Sequence, residues 1–189
     1  MIPKEIFPSH IYGETYLGFD KEYLQKTLTT ILLLKKGDMH GNTFSNAQFG
    51  WQSKDLPMTN VFSIIKNKIN DACHNFLSHL DGFKFNEVNV ENMWANINNQ
   101  GDINWPHKHG GVLSGVYYVD VHDNCGDLIL DDLSYNHQEG ISHYLHDKHK
   151  VNLKPENDKL VIFDSNCTHL VLKNLSNKLR VSLSFNAYT

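Results

Sequence analysis

Two stretches in the first half of the chain repeat apolar residues at every third or fourth position, and most of the chain beyond residue 83 repeats them at every second. The first, Asp20 to Lys36 (DKEYLQKTLTTILLLKK), predicts a helix with Gly37 where it should stop. The second, Val61 to Leu80 (VFSIIKNKINDACHNFLSHL), predicts another, with Asp71, Cys73, His74 and His79 as helix-face residues. Before the first helix the chain opens on an extended segment. Between the two, GDMHGNTFSNAQFGWQSKDLP is rich in Gly, Asn and Ser and reads as loop with at most one short strand. From Phe83 the words FKFNEVNVENMWANIN, GVLSGVYYVDV, DLILDD, KLVIFDS, HLVLKN and KLRVSLSFNAY predict about six short strands. Two helices followed by such a run make an α+β, mainly β chain whose second half is a sandwich or small barrel.

The length, 189 residues, fits one domain spanning 1–189 with a real core. A hydrophobic share of 40%, a charged share of 20% and a net charge of -4 describe a soluble globular protein. With 17 Lys and Arg against that negative balance, the cationic footprint of a nucleic-acid binder is missing, so no nucleic-acid partner is expected. Cys73, Cys125 and Cys167 are odd in number and widely spaced, which points to a reducing, cytoplasmic compartment. The opening MIPKEIFPSHIYGETYLGF lacks a long apolar run, so neither a signal peptide nor a membrane span is expected. What changes the picture is the count of 12 His, which raises the question of a metal.

The segment WPHKHGGVLSGVYYVD, Trp105 to Asp120, concentrates that question. If HKH begins a strand, His107 and His109 share a face while Lys108 points away. Gly110 and Gly111 then leave room for a ligand or let the backbone turn tightly. His169, in FDSNCTHLVLKN, opens a late strand and could add a third imidazole; two turn histidines would give the same HxH letters. Further on, Arg180 alternates with Ser182 and Ser184 in KLRVSLSF. A guanidinium flanked by hydroxyls on one strand face describes a carboxylate site, whereas an edge arginine with its head in water is the plainer reading. The loop NHQEGISHYLHDKHK carries His137, His143, His146, His149 and Asp147 and reads as a polar loop over a cavity mouth, a second metal site being the alternative. Trp94 is expected in the core and Trp105 in core or cavity wall. Cys167 reads as a small buried thiol, and His10, His40 and His122 have no legible partner.

In order, HxH, SGVYYV, Gly126 with DLILDD, LVIFDSNCTH and LRVSLSFN resemble the iron(II) and 2-oxoglutarate dependent oxygenases. More narrowly, the chain resembles a family of small 2-oxoglutarate oxygenases of phages and bacteria, which carry an HxH before an SGVYYV-like strand and end in an RxSxSFN-like strand. The words FPSHIY, FGWQS and WANIN extend the likeness upstream. The resemblance implies a double-stranded β-helix, or jelly-roll, core with supporting N-terminal helices. It implies Fe(II) held by His107 and His169, with His109 at the third position, where most of the superfamily has a carboxylate; Asp127, Asp131 and Asp164 are the acidic alternatives. The distal carboxylate of 2-oxoglutarate would meet Arg180 with Ser182 or Ser184, aided by Tyr118, while Asn96 and Asn98 would line the same cavity. With dioxygen, such an enzyme converts 2-oxoglutarate to succinate and oxidises a protein, peptide or small-molecule substrate. A homodimer stays open. Two other functions fit the same residues: a cupin-like zinc enzyme, and a non-catalytic jelly-roll binding protein.

Overall fold

A computed structural model describes residues 1, 3–7, 10–43, 47–58, 60–80, 87–131 and 150–189. Along these the elements are β1 (Lys4–Phe7), β2 (His10–Tyr16), α1 (Lys21–Gly37), β3 (Ala47–Gln48), β4 (Trp51–Gln52), α2 (Asn60–Leu77), β5 (Asn89–Asn98), β6 (Ile103–His107), β7 (Leu113–Asp120), β8 (Leu128–Asp131), β9 (Lys150–Leu153), β10 (Lys159–Asp164), β11 (Thr168–Val171) and β12 (Arg180–Tyr188). All pairings are antiparallel. They form a seven-stranded sheet, β1-β2-β10-β7-β12-β5-β4, and a five-stranded sheet, β3-β6-β11-β8-β9.

Strand period explains how these layers stack. On β12, Val181, Leu183, Phe185 and Ala187 enter the core that the seven-stranded sheet shares with the helices, and on β7 Leu113, Tyr117 and Val119 do the same. The alternate residues point the other way. Val116 and Tyr118 of β7, with Val161 and Phe163 of β10, join Leu128 and Leu130 of β8 in a second core between the sheets. One set of strands thus serves two cores, and the site lies on the face turned toward the five-stranded sheet.

Helix α2 is held by its apolar stripe. Phe62, Ile65, Ile69, Cys73 and Phe76 are wholly buried, and each large side chain contributes about 1.5–3 kcal/mol relative to exposure. Helix α1 starts where Asp20 caps it, the carboxylate accepting from the Tyr23 N–H at 2.8 Å. Gly37 proves to be its last residue; Asp38 is the C-cap, its N–H donating to Leu34 O at 2.9 Å.

The expected order of helices before strands is corrected at the N-terminus. The opening segment is the hairpin β1–β2, and β2 extends the large sheet by pairing with β10 from Tyr12 to Tyr16. Its residues HIYGETY are mostly half-covered rather than alternating, so the edge strand left no period-two signature. At the far end of that ladder, Asp158 (φ 66°) accepts from the N–H of Gly18 and Phe19 and from the Tyr117 hydroxyl at 2.8, 3.1 and 2.9 Å.

Candidate active site between the two sheets

His107 ends β6 and His169 lies directly opposite it on β11, while His109 sits in the loop beyond the strand. The HKH word is therefore not the start of a strand, as the sequence suggested. The backbone N–H of His109 donates to Ser165 O at 3.1 Å instead of joining a ladder. All the same the three rings converge, with centroids 4.1 to 5.0 Å apart and one nitrogen from each within 4.8 Å of the others. A bulge helps: Asn104 and His107 of β6 face Val171 and His169 of β11, three steps against two. Trp105 and Pro106 lie between those pairs opposite Leu170 alone, and Pro106 has no N–H for the ladder.

Two imidazoles are fixed by backbone. His107 Nδ1 lies 2.7 Å from Trp105 O and His169 Nδ1 lies 3.1 Å from Cys167 O. A carbonyl only accepts, so in each ring Nδ1 carries the hydrogen and Nε2 keeps its lone pair. Burial also disfavours protonation. It pushes His169 down to about 3, with the charge of His107 adding and the Cys167 carbonyl opposing; it pushes His109 down to about 4, again with His107 adding. His107 is lowered by burial as well, against the pull of the Trp105 carbonyl. Three neutral imidazoles facing one point are a metal-ligand set.

The cavity they open into holds about 490 Å³ of empty space, counting its mouth. Across it stands β12, with Arg180, Ser182 and Ser184 on the cavity face as period two requires. Arg180 is 2% exposed. Its Nη1 donates to Asn98 Oδ1 at 3.3 Å, and its Nε and Nη2 have no partner among the described residues. Asn98 therefore supports the guanidinium from β5, and Asn96, which does line the cavity, donates to Ser184 Oγ at 2.9 Å. Tyr118 is not on the cavity wall; it is fully buried behind it, with its ring 5.3 Å from the guanidinium carbon and its hydroxyl unpaired.

Other expectations are corrected. Gly110 and Gly111 do not line the cavity. Gly111 turns the loop at φ 102°, where a Cβ would lie 2.7 Å from Ala187 O. Trp94 is cavity wall rather than core, its ring set edge-on to His109 at 5.6 Å. Trp105 is 55% exposed, and Cys167 is a buried thiol as expected. Of the acidic alternatives, Asp127, Asp131 and Asp164 all lie outside the metal-ligand cluster. His137, His143, His146, His149 and Asp147 lie outside the described residues. Sequence reasoning missed Gln52, Asn104 and Phe163, all on the cavity wall. Phe163 was within reach: it alternates with Val161 on β10, which faces between the sheets.

Among curated proteins no sequence match is found. Solved structures share the fold. The chain is similar to a prolyl-4-hydroxylase from Pseudomonas putida (12% identity over 94% of this chain and 93% of that one, TM-score 0.66). It is similar to the viral collagen prolyl hydroxylase of Paramecium Bursaria Chlorella virus-1, solved with 2OG (12%, 94% and 96%, TM-score 0.63). HygX of Streptomyces hygroscopicus, solved with nickel, 2-oxoglutarate and hygromycin B, shares the fold too (7%, 94% and 82%, TM-score 0.69). With these neighbours the two sheets are those of a double-stranded β-helix. Residues 92–186, half of the chain, match the family model described as "Putative 2OG-Fe(II) oxygenase". By that match the chain belongs to the 2OG-Fe(II) oxygenase family, enzymes that depend on iron(II) and 2-oxoglutarate.

Proposed function

We propose that His107, His109 and His169 hold the iron and that Arg180 receives the distal carboxylate of 2-oxoglutarate. The observation that carries this is the guanidinium: a buried cation with two unpaired donors, in the same cavity as three neutral imidazoles. Such a charge is costly without an anion, and a carboxylate fits its fork. The reading as a cupin-like zinc enzyme assigns that arginine no role. Both groups fit the residues present, since the donor set suits a divalent ion and the unpaired donors suit a dicarboxylate.

When bound, the iron supplies the coupling of 2-oxoglutarate decarboxylation to oxidation of a second substrate. The chain does the rest. The Trp105 and Cys167 carbonyls hold the Nδ1 hydrogens, which leaves the Nε2 lone pairs of His107 and His169 as the atoms that would hold the ion. Arg180 and Ser182 offer donors at the opposite end, with Asn98 holding one guanidinium nitrogen in place and the Tyr118 ring packed behind it. Phe163 packs 4.7 Å from the His169 ring and Trp94 sets its ring edge-on to His109 at 5.6 Å, so both help to hold the imidazoles in place. The second substrate is a protein side chain, peptide or small metabolite; neighbours of this fold include prolyl hydroxylases and an enzyme solved with hygromycin B.

Three buried, widely spaced cysteines, Cys73, Cys125 and Cys167, support a cytoplasmic setting. The pairing of β2 with β10 supports one domain from 1 to 189.

Calorimetric titration of 2-oxoglutarate into anaerobic, Fe(II)-loaded protein tests the proposal. Binding is expected in the wild type and lost in Arg180→Ala, and iron content is expected to drop in His109→Ala. Metal binding without 2-oxoglutarate binding would refute the role given to Arg180.

A further inference from the structure

One turn, residues 164–167 between β10 and β11, touches both arms of the histidine cluster. Its Ser165 carbonyl accepts the His109 N–H at 3.1 Å, and its Ser165 N–H donates to Val112 O at 3.3 Å. Two residues on, the Cys167 carbonyl accepts from His169 Nδ1 at 3.1 Å. Asp164 shapes this turn. Its backbone carbonyl accepts the Cys167 N–H and its Oδ1 accepts the Asn166 N–H, each at 2.9 Å. Its other oxygen, Oδ2, lies 3.1 Å from Nδ1 of His10, the buried first residue of β2. An ionised carboxylate only accepts, so the histidine donates.

This contact is not another rung of the sheet. The ladder between β2 and β10 ends at the pair Tyr12 and Phe163. His10 and Asp164 meet beyond it, where the chain leaves β10 for the turn. His10 also lies outside residues 92–186, the span that carries the family match.

We infer that His10 and Asp164 are a positioning pair for the metal centre: the histidine holds the carboxylate, the carboxylate shapes the turn, and the turn aims His109 and His169 through the Ser165 and Cys167 carbonyls. Neither residue belongs to the ligand cluster. The inference rests on the reading of His107, His109 and His169 as metal ligands. Partners that orient metal-bound histidines commonly change metal affinity by roughly 10- to 100-fold when removed.

The test is an anaerobic titration of Co(II) into the metal-free 189-residue chain, following the visible spectrum, which reports ligand geometry as well as occupancy. His10→Ala and Asp164→Asn are expected to weaken Co(II) binding by about 10- to 100-fold and to shift its bands. His10→Asn, which keeps an N–H donor, is expected to recover most of the affinity. His122→Ala, which breaks a remote pair with Asp120 at 3.6 Å, is expected to change neither. His107→Ala reports on the ligand reading itself. A His10→Ala protein with wild-type affinity and spectrum overturns the inference while leaving that reading intact. A wild type whose Co(II) binding does not depend on His107 overturns the ligand reading and the inference with it. Should His10→Ala fail to fold, Asp164→Asn answers the same question, because it retains Oδ1 and the volume of the turn.

Discussion

Arg180 and Asn98 face each other across β12 and β5, and the 3.3 Å bond between them is the only hydrogen bond that the described residues give a guanidinium 2% exposed. That relationship separates binding from stability. A buried charge lacking a counter-charge costs several kcal/mol, so Arg180→Met is expected to leave the melting temperature of the protein without 2-oxoglutarate unchanged or raised. Saturating 2-oxoglutarate should stabilise the wild type by about 2.7 kcal/mol at a hundredfold excess over Kd and should not stabilise the variant. Thermal melts of both, with and without 2-oxoglutarate, check this. A variant that melts far below the wild type in the absence of 2-oxoglutarate would make Arg180 structural.

Acid should unfold the metal-free protein by way of the histidines. In the unfolded chain an imidazole takes a proton near its ordinary value of 6.5, whereas burial holds His109 to about 4 and His169 to about 3 in the fold. Each folded value is depressed, so the contribution is fully present above pH 6.5 and is lost as pH falls toward the folded values. The slope is on the order of 1 kcal/mol per pH unit for each group. Urea unfolding at pH 7, 6 and 5 is expected to show it, and to show a shallower decline in His169→Ala. An equal slope in that variant would assign the acid sensitivity elsewhere.

Gly111→Ala is expected to cost about 1–3 kcal/mol, because φ 102° is closed to side chains and the new Cβ would meet Ala187 O. Since the same loop carries His109, metal affinity should fall with it. Denaturation and a metal titration on one preparation measure both. Loss of stability with unchanged affinity would mean that the loop tolerates the shift.

Asp158→Ala provides the converse case. It strands the Tyr117 hydroxyl and two backbone N–H groups, none of them on the cavity lining, and is expected to cost roughly 2–4 kcal/mol without changing the affinity for 2-oxoglutarate. The measurement is chemical denaturation beside calorimetry.

What the sequence revealed of the site was whatever follows strand period. Arg180, Ser182 and Ser184 share a face because they alternate, and the same rule applied to Trp94, Asn96 and Asn98 would have put the tryptophan on the cavity rather than in the core. Convergence of His107 with His109 was correct for a different reason than i, i+2 on a strand: it goes with the register shift between Asn104 and His107 and with the carbonyl of Ser165. His10 was beyond reach, since its partner is 154 residues away and no local pattern encodes that meeting. The hairpin β1–β2 was missed because a half-covered edge strand need not alternate.

The imidazoles of His107 and His169 belong to the smaller sheet and the guanidinium of Arg180 to the larger one. Whatever spans the cavity from one to the other is a cross-tie between the two leaves of the jelly roll. The spacing of the leaves is then also the gauge of the ligand. On the roles proposed for these residues, a molecule shorter than the gap would not engage both walls, so selectivity for cosubstrate length would come from that one dimension.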